Sequence, residues 1–531
     1  MKIGCKTFTV LAGMLALALQ SALAGVVKSD VCVFGGTSAG VIAAVQAARM
    51  GKTVVVVEPS GHLGGLTAGG LGWTDIGNKA AIGGLARDFY RRLGKYYGKP
   101  EAWTFEPSVA EREFKQMLDM QNIPVFLHQQ LASVQKRSAK IETITSQAGN
   151  IFQARVFIDA TYEGDLMAKA GVSFFVGREA NYVYGETLDG IRAKTPKHQF
   201  IVPVDPYVMP GDPASGLLPF VQPAAFGIPG DGDASVQTYN LRLCLTKNPT
   251  NQIPIEPPEN YNPQKYELLG RYFDALTAAH RKPNLGNFLK IDMVTPEKTD
   301  VNNNGPFSTD AIGMNYDYPN ASYAERGQIE REILDYTKGL LTYLATSPQV
   351  PDTIRREMRQ WGLCKDEFTD TGGWPSQLYV REARRMVSSY VMTENNCRGK
   401  IVAADSIGLA AYNMDSHNCR RLVRYGHVEN EGDVQVAPMS PYPISYRAIV
   451  PRAGECDNLL VPVCLSASHI AYGSIRMEPV FMLLGQSAAT AAVMAINHSE
   501  PVQKVAYQEL QKQLLADHQI LAWPPPDSQK K

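Results

Sequence analysis

The sequence predicts an α/β fold in which a parallel sheet begins near the N-terminus, is interrupted by an inserted α+β segment, and is completed near the C-terminus. Three observations predict it. The stretch VCVFGGTSAGVIAAVQAARMGKTVVVVE, Val31 to Glu58, reads as strand, glycine turn, helix, strand and one acidic residue. Residues 123–158 alternate apolar and polar side chains in short runs, as strands do. A strand-like run from Asn458 to His469 leads into a small-residue helix that starts near Glu478-Pro479.

The first unit has the order of a dinucleotide-binding βαβ motif. Gly35, Gly36 and Gly40 let the backbone approach a pyrophosphate, and Thr37, Ser38 and Ala39 occupy the turn and the start of the helix, where free N–H groups and the positive dipole end point outward. Glu58, at the end of the second strand, is placed to hydrogen-bond a ribose diol. Ala39, Ala43, Ala44, Ala47 and Ala48 let the helix lie close on the sheet. Thr37 stands where the usual G-x-G-x-x-G spelling has its middle glycine. Either the pyrophosphate sits farther out or the Thr37 hydroxyl donates to it.

The loop from Pro59 to Asp75 packs Gly61, Gly64, Gly65, Gly69, Gly70 and Gly72 together around Leu66. Beside a dinucleotide turn, that glycine density predicts the wall against which the rest of a cofactor lies. A helix rich in Arg87, Arg91 and Arg92 follows, then one from about Pro107 to Met120, then the strands that end at Asp159-Ala160-Thr161, ahead of Gly164.

From Asn181 to Gly373 the chain becomes proline-rich and polar and carries most of the tyrosines, with amphipathic helices near Lys265 to Ala279 and Glu325 to Thr346. The expected organisation is a signal peptide at 1–24, the first part of the dinucleotide domain at 25–180, an inserted substrate or cap domain at 181–373, the second part at 374–500, and a C-terminal helix and tail at 501–531. The KTDVNNNG loop places Asp300, Asn302, Asn304 and Gly305 in calcium-loop register, but Ala311 stands where a bidentate Glu is needed. The loop therefore reads as an Asn-Gly turn, and no metal site is predicted. Pro479 suits a first helical turn, and Gly485, Gln486 and Ser487 lie on the small-residue helix behind it.

Composition narrows the class. With 52 basic and 52 acidic residues, no charge stripe points to nucleic acid. Lys2, Lys6, an apolar run from Phe8 to Leu19 and Ala22-Leu23-Ala24 read as a cleavable secretory signal without a twin-arginine pair. The expected location is therefore periplasmic or secreted, by Sec-type export, with no membrane span after signal removal. Seven cysteines follow the signal, without a C-x-x-C motif; a pair such as Cys397 with Cys419 is open in an oxidising compartment.

The ordered set of segments resembles the FAD-dependent oxidoreductase family of bacterial proteins, within the glutathione-reductase-like flavoproteins. It comprises the βαβ unit ending at Glu58, HLGG from His62, IDATYEGDL from Ile158, DVNNNG from Asp300, LYVREARRM from Leu378, YNMDSHN from Tyr412, ISYRAIVP from Ile444 and SIRMEPVFMLLGQSAATAA from Ser474. The resemblance implies a Rossmann-like FAD-binding domain of the glutathione-reductase type. It implies that Gly35, Gly36 and Gly40 hold the pyrophosphate, Glu58 the adenosine ribose, Gly64 and Gly65 the flavin-side phosphate, Ala160 and Thr161 the adenine-side strand end, and the 474–490 segment the isoalloxazine. Cys464-Leu465-Ser466 departs from the Gly-Asp of many relatives. Some distant relatives attach FAD through a histidine in the loop that here holds His62; the register matches poorly, so non-covalent FAD is expected.

Flavin oxidation of an alcohol or amine needs a base and cations that hold an oxygen. Asp415 and His417, two apart, share a strand face; His469 precedes the last helix and lies near Arg476; Arg381, Arg384 and Arg385 fall on one face if the segment is helical. Only one glycine unit of the dinucleotide type is visible, which points to a substrate that reduces the flavin directly and an acceptor, such as oxygen or a quinone, that reoxidises it. The expected function is an exported dehydrogenase or oxidase acting on a small polar, carbohydrate-derived substrate. The alternatives are a carbohydrate-active lyase or hydrolase using transient flavin redox chemistry, and a non-catalytic flavin-binding protein.

Overall fold

The computed structural model describes residues 25–525, so the predicted signal peptide lies outside the described residues. Strand β1 (Val26–Phe34) buries its last four residues and runs into the glycine turn. Helix α1 (Ser38–Arg49) follows, and β2 (Val54–Val57) is four buried valines, the continuous apolar run of a strand covered on both faces. β1 and β2 pair in parallel, with Val31 opposite Val54. β3 (Val125–Phe126) adds to the far side of β2. β4 (Leu131–Arg137) and β5 (Lys140–Ser146) form an antiparallel hairpin, and β6 (Ile151–Asp159) then returns parallel to β1 over its whole length, Val26 opposite Ile151 and Phe34 opposite Asp159. The chain comes back to this sheet far downstream, when β7 (Leu459–Leu460) pairs in parallel with the end of β6. Strand order is β3-β2-β1-β6-β5-β4, and β1, β2 and β6 all present their carboxyl ends at one edge.

Segment 181–373 contains a helix at Glu267–Ala278, the long helix α2 (Tyr323–Thr346) and short antiparallel strands. Ser322 and Glu325 close a capping box at the start of α2. Tyr239, Leu243, Phe273 and Leu340 from this segment belong to the same continuous hydrophobic cluster as Val31, Ile42 and Val56 of the sheet. Within DVNNNG, Thr299–Asn303 is a strand paired with Leu289–Met293, and the Asp300 carboxylate is taken by Arg242.

Helix α3 (His469–Ile475) precedes α4 (Glu478–His498), which has Pro479 in its first turn. At 21 residues and a mean hydropathy of 1.6, α4 is long and apolar enough to cross a membrane, contrary to the expectation that no segment after the signal would be. It is a core helix instead, 94% buried over that window. It crosses α1 so closely that a Cβ on Gly485 would collide with the Ala39 carbonyl.

Two local expectations are corrected. Arg381, Arg384 and Arg385 do not share a helix face: residues 381–384 are irregular with a bend at Ala383, and Arg385–Met386 is a strand paired with Phe174–Phe175. The three guanidiniums go to different buried carboxylates, Arg381 to Asp310, Arg384 to Asp165, and Arg385 to both Glu179 and Glu382. Satisfying three buried charges separately outweighs the helical spacing of the sequence. Cys397 and Cys419 do not pair, and all seven described cysteines are free and buried.

Candidate active site

A cleft of about 230 Å³ opens where β1, β2 and β6 end, lined by Gly35, Thr37, Glu58, Pro59, Gly65 and Thr161 among others. This edge is where open α/β sheets bind nucleotides. Gly35 has φ +99°, and a Cβ there would strike the Ala160–Thr161 backbone. A Cβ on Gly40 would strike the Gly35 carbonyl, so the turn closes only with glycine at both positions. The N–H groups of Ser38 and Ala39 fall in the first turn of α1, outside its internal hydrogen-bond ladder. The residues present therefore fit a dinucleotide, whose pyrophosphate the N-terminus of α1 would hold.

Thr37 resolves the departure in the glycine spelling. Its hydroxyl donates to the Ala160 carbonyl at 2.7 Å and accepts from the Gly40 N–H at 3.3 Å, so it caps α1 and does not donate into the cleft. Glu58 accepts from the Gly36 N–H at 2.5 Å and the Ser60 N–H at 2.6 Å, which aims its carboxylate along the turn. Burial pushes its pKa up, against the opposing hydrogen bonds from Ser60 and Gly36. Leu66 donates its N–H to the Tyr162 hydroxyl at 2.8 Å. Gly64, with φ +91°, turns the chain into the short helix Gly65–Ala68.

Thr161 lines the cleft, whereas Ala160 contributes its carbonyl to Thr37 and Gly164 packs against Met167 and Cys464 behind the wall. Gly485, Gln486 and Ser487 are corrected as cofactor contacts. Gly485 serves the α1–α4 crossing, Gln486 accepts from the Leu85 N–H at 2.8 Å, and Ser487 donates to the Ile407 carbonyl at 2.7 Å. The small residues predicted to face a ligand instead seat helix against neighbouring elements.

Sequence reasoning missed Glu478, read only as a helix start. Its carboxylate is 2% exposed and accepts from Ser38 Oγ at 2.6 Å, Thr67 Oγ1 at 2.7 Å and the Tyr162 hydroxyl at 2.7 Å. Four separate segments are thus tied together at the N-termini of α1 and α4, where the helix dipoles favour a negative charge.

The cleft continues to Ser376, Gln377 and Leu378. Beyond Leu378, Tyr379 is the centre of a buried polar cluster. Arg381, Arg476 and Arg242 stand over its ring, with guanidinium carbons 4.6, 5.6 and 5.8 Å from the centroid. Arg476 donates to the Tyr379 hydroxyl at 2.8 Å and to Asp415 Oδ2 at 3.3 Å. Close approach brings the glycine loop here too, since a Cβ on Gly69 would strike Gln377 and one on Gly70 would strike Arg242.

His417 adjoins this cluster. Its Nδ1 lies 2.8 Å from Asp310 Oδ2, and its Nε2 is 3.7 Å from Asp415 Oδ2. With Nδ1–H assigned as donor to the carboxylate, Nε2 carries the free lone pair. Burial, reinforced by Arg381, holds the imidazole pKa below its ordinary value against the pull of Asp310 and Asp415, so the ring is neutral at pH 7. Asp310 stays ionised: burial raises its pKa, but Arg381 and His417 more than reverse the rise. His469 is placed differently from the expectation of a catalytic histidine. Only 2% exposed, it has Nδ1 2.8 Å from Glu382 and Nε2 3.0 Å from Ser416 Oγ, so both ring nitrogens are engaged by the protein. Its part is to position Ser416, next to His417.

Fold and site together define a nucleotide-binding enzyme of the flavoprotein kind. The chain belongs to the FAD dependent oxidoreductase family, whose pattern it matches over residues 30–514. No curated protein matches it. Among solved structures it is similar to L-proline dehydrogenase from P. horikoshii, at 14% identity over 29% of this chain and 59% of that one, TM-score 0.24. A flavoprotein/dehydrogenase from Cytophaga hutchinsonii matches at 18% identity over 28% of this chain and 44% of that one, TM-score 0.23. Thioredoxin reductase from T. acidophilum matches at 22% identity over 25% of this chain and 34% of that one, TM-score 0.17. This chain thus matches less than two thirds of the length of each of these proteins, and family membership alone carries the assignment.

Proposed function

We propose that the protein is an exported FAD-dependent dehydrogenase or oxidase that takes a small polar, carbohydrate-derived substrate and uses His417 as the base. The observation that carries this reading is the buried His417–Asp310 pair at 2.8 Å, with the imidazole held neutral beside cationic Arg381. FAD, when bound, supplies the hydride acceptor. Gly35, Thr37, Gly65 and the N-terminus of α1 would hold its pyrophosphate, and Glu58 its ribose. His417 takes the proton of a substrate hydroxyl or amine at Nε2. Asp310 fixes the tautomer and stabilises the imidazolium that forms. Arg381 and Arg476 orient the substrate oxygen, and Asp415 anchors Arg476 from the other side.

His62 supports non-covalent FAD. It lines the cleft with both ring nitrogens turned to carboxylates, 3.5 Å from Glu111 and 3.0 Å from Asp370. Export by a Sec-type route, with FAD acquired outside the cytoplasm, is part of the proposal, as are an inserted substrate domain at 181–373 and an acceptor such as oxygen or a quinone.

The test is the absorption spectrum of the mature protein before and after acid precipitation, followed by anaerobic addition of sugars, polyols and hydroxy acids. Flavin released by acid and bleached by one of these classes is the expected result. A loaded protein bleached by none of them overturns the substrate reading.

A further inference from the structure

Cys244 and Cys364 stand 120 residues apart in sequence, and their sulfurs meet at 3.6 Å. Strand pairing brings them together. Leu245–Thr246 and Gly362–Cys364 run antiparallel, with Thr246 opposite Gly362 and Leu245 opposite Leu363, so Cys244 falls next in register, opposite Cys364. The Cys364 N–H donates to the Cys244 carbonyl at 3.3 Å, which makes this a hydrogen-bonded pair. Such pairs have Cα atoms about 5.5 Å apart, within the range of about 4.4–6.8 Å that a disulfide spans. Directly opposed side chains also share one sheet face. Joining the sulfurs takes a closure of about 1.5 Å, to a bond of about 2.05 Å.

Among the described residues no other two cysteine sulfurs are in hydrogen-bonding contact. Cys419 donates instead to the His417 carbonyl, Cys456 to Asn458 Oδ1, and Cys464 to the Thr161 and Tyr162 carbonyls. The segment between Cys244 and Cys364 holds α2 and Asp310, the partner of His417. Its root is already tied to the dinucleotide unit. Glu367, three residues past Cys364, accepts from the Ser108 N–H at 2.8 Å and from Lys298 Nζ at 2.8 Å.

We infer that Cys244 and Cys364 form a structural disulfide that closes the segment carrying Asp310 at its root. The inference rests on the proposed export, which places the folding chain in an oxidising compartment. The bond forms by thiol–disulfide exchange with an oxidant that is itself a protein or glutathione-type disulfide. The thiolate of one cysteine attacks the oxidant and expels one thiol, and the second cysteine attacks the mixed disulfide and expels the other. Two S–H bonds and the oxidant's S–S bond break, the new S–S bond forms, and both protons and both electrons leave with the reduced oxidant. In the folded chain both cysteines are 0% exposed, and contact with Cys364, then burial, pushes the Cys244 thiol up. Exchange therefore takes place during folding, and the finished bond is shielded from reductant.

The test is peptide mapping by mass spectrometry, after alkylation with N-ethylmaleimide in denaturant without reduction. Two samples are compared: protein isolated without reductant from the producing cells and their medium, and mature chain refolded in a mixed glutathione buffer. A peptide joining Cys244 to Cys364, with the other five cysteines of the mature chain alkylated, is expected in both. Both cysteines alkylated in both samples, or either one joined to a third cysteine, overturns the inference. The link in the refolded chain alone keeps the pairing and overturns the export reading, so the two failures are distinct. Chain refolded with both thiols reduced is expected to melt about 2–5 °C lower than the linked form, and Cys244→Ala/Cys364→Ala to lose any dependence of melting on reductant. Equal melting of linked and reduced chain overturns the structural role. If the double variant does not fold, the peptide map of the unchanged chain still decides.

Discussion

His417 and Asp310, 107 residues apart in sequence, meet with Nδ1 and Oδ2 at 2.8 Å beside the Tyr379 cluster. The pairing leaves Nε2 as the proton acceptor. His417→Asn is expected to lower turnover by about 10²- to 10⁴-fold with FAD content unchanged. Asp310→Asn, which loses the tautomer and the counter-charge, is expected to cost about 10- to 100-fold. Steady-state kinetics normalised to bound flavin measures both.

The same pair sets a pH dependence. His417 titrates below the ordinary imidazole value because burial, then Arg381, disfavours its charged form. Activity is therefore lost as pH falls through that depressed folded pKa, and is level above about 6.5. Stability follows the same sign: between the folded pKa and about 6.5 the unfolded chain binds a proton that the folded one does not, so stability falls with falling pH in that window. In His417→Asn this contribution disappears. Denaturation midpoints measured across pH 5 to 7.5 are the check.

Glu163 gives the cleft the opposite dependence. Burial raises its carboxyl to about 7, with Arg326 opposing and Asp165 and Glu330 adding to the rise. Above pH 7 it ionises on the wall of a site for an anionic pyrophosphate. FAD affinity is expected to fall as pH rises from about 6 to 8 and to become flat in Glu163→Gln, as followed by flavin fluorescence quenching. In apo-protein the folded form keeps this proton between about 4.5 and 7 while the unfolded form does not, so stability falls with rising pH across that interval.

Gly485 tests the α1–α4 crossing. Gly485→Ala places a methyl against the Ala39 carbonyl and must push α4 away from α1. The expected cost is about 1–3 kcal/mol in chemical denaturation, with weaker FAD binding because the first turn of α1 moves with it.

What the sequence revealed depended on how local each feature is. The βαβ unit from Val31 to Glu58 was legible because its strand, turn, helix and acid are contiguous and each residue type has one physical reason. The Asp415 and His417 neighbourhood was legible as a two-residue spacing, which brings His417 Nε2 within 3.7 Å of Asp415 Oδ2, although the strand Met414–Ser416 ends before His417 and the two do not share a strand face. Asp310 was not: it meets His417 from a segment 107 residues upstream. Glu478 was visible as a helix start, but its hydroxyl partners Ser38, Thr67 and Tyr162 come from three distant segments. The arginine row misled because an i, i+3, i+4 spacing also fits an irregular segment whose arginines find different carboxylates. Gly485 and its neighbours misled because small residues serve close helix packing as readily as ligand approach.

The most direct test of the account is anaerobic stopped-flow reduction of FAD-loaded wild-type and His417→Asn protein by whichever sugar, polyol or hydroxy acid bleaches the wild type. The account predicts equal flavin content and spectra, with a reduction rate at least about 100-fold lower in the variant and no acid limb in its pH profile. Equal reduction rates in the two proteins would contradict it, and would place the base elsewhere in the cluster or remove base catalysis from the reaction.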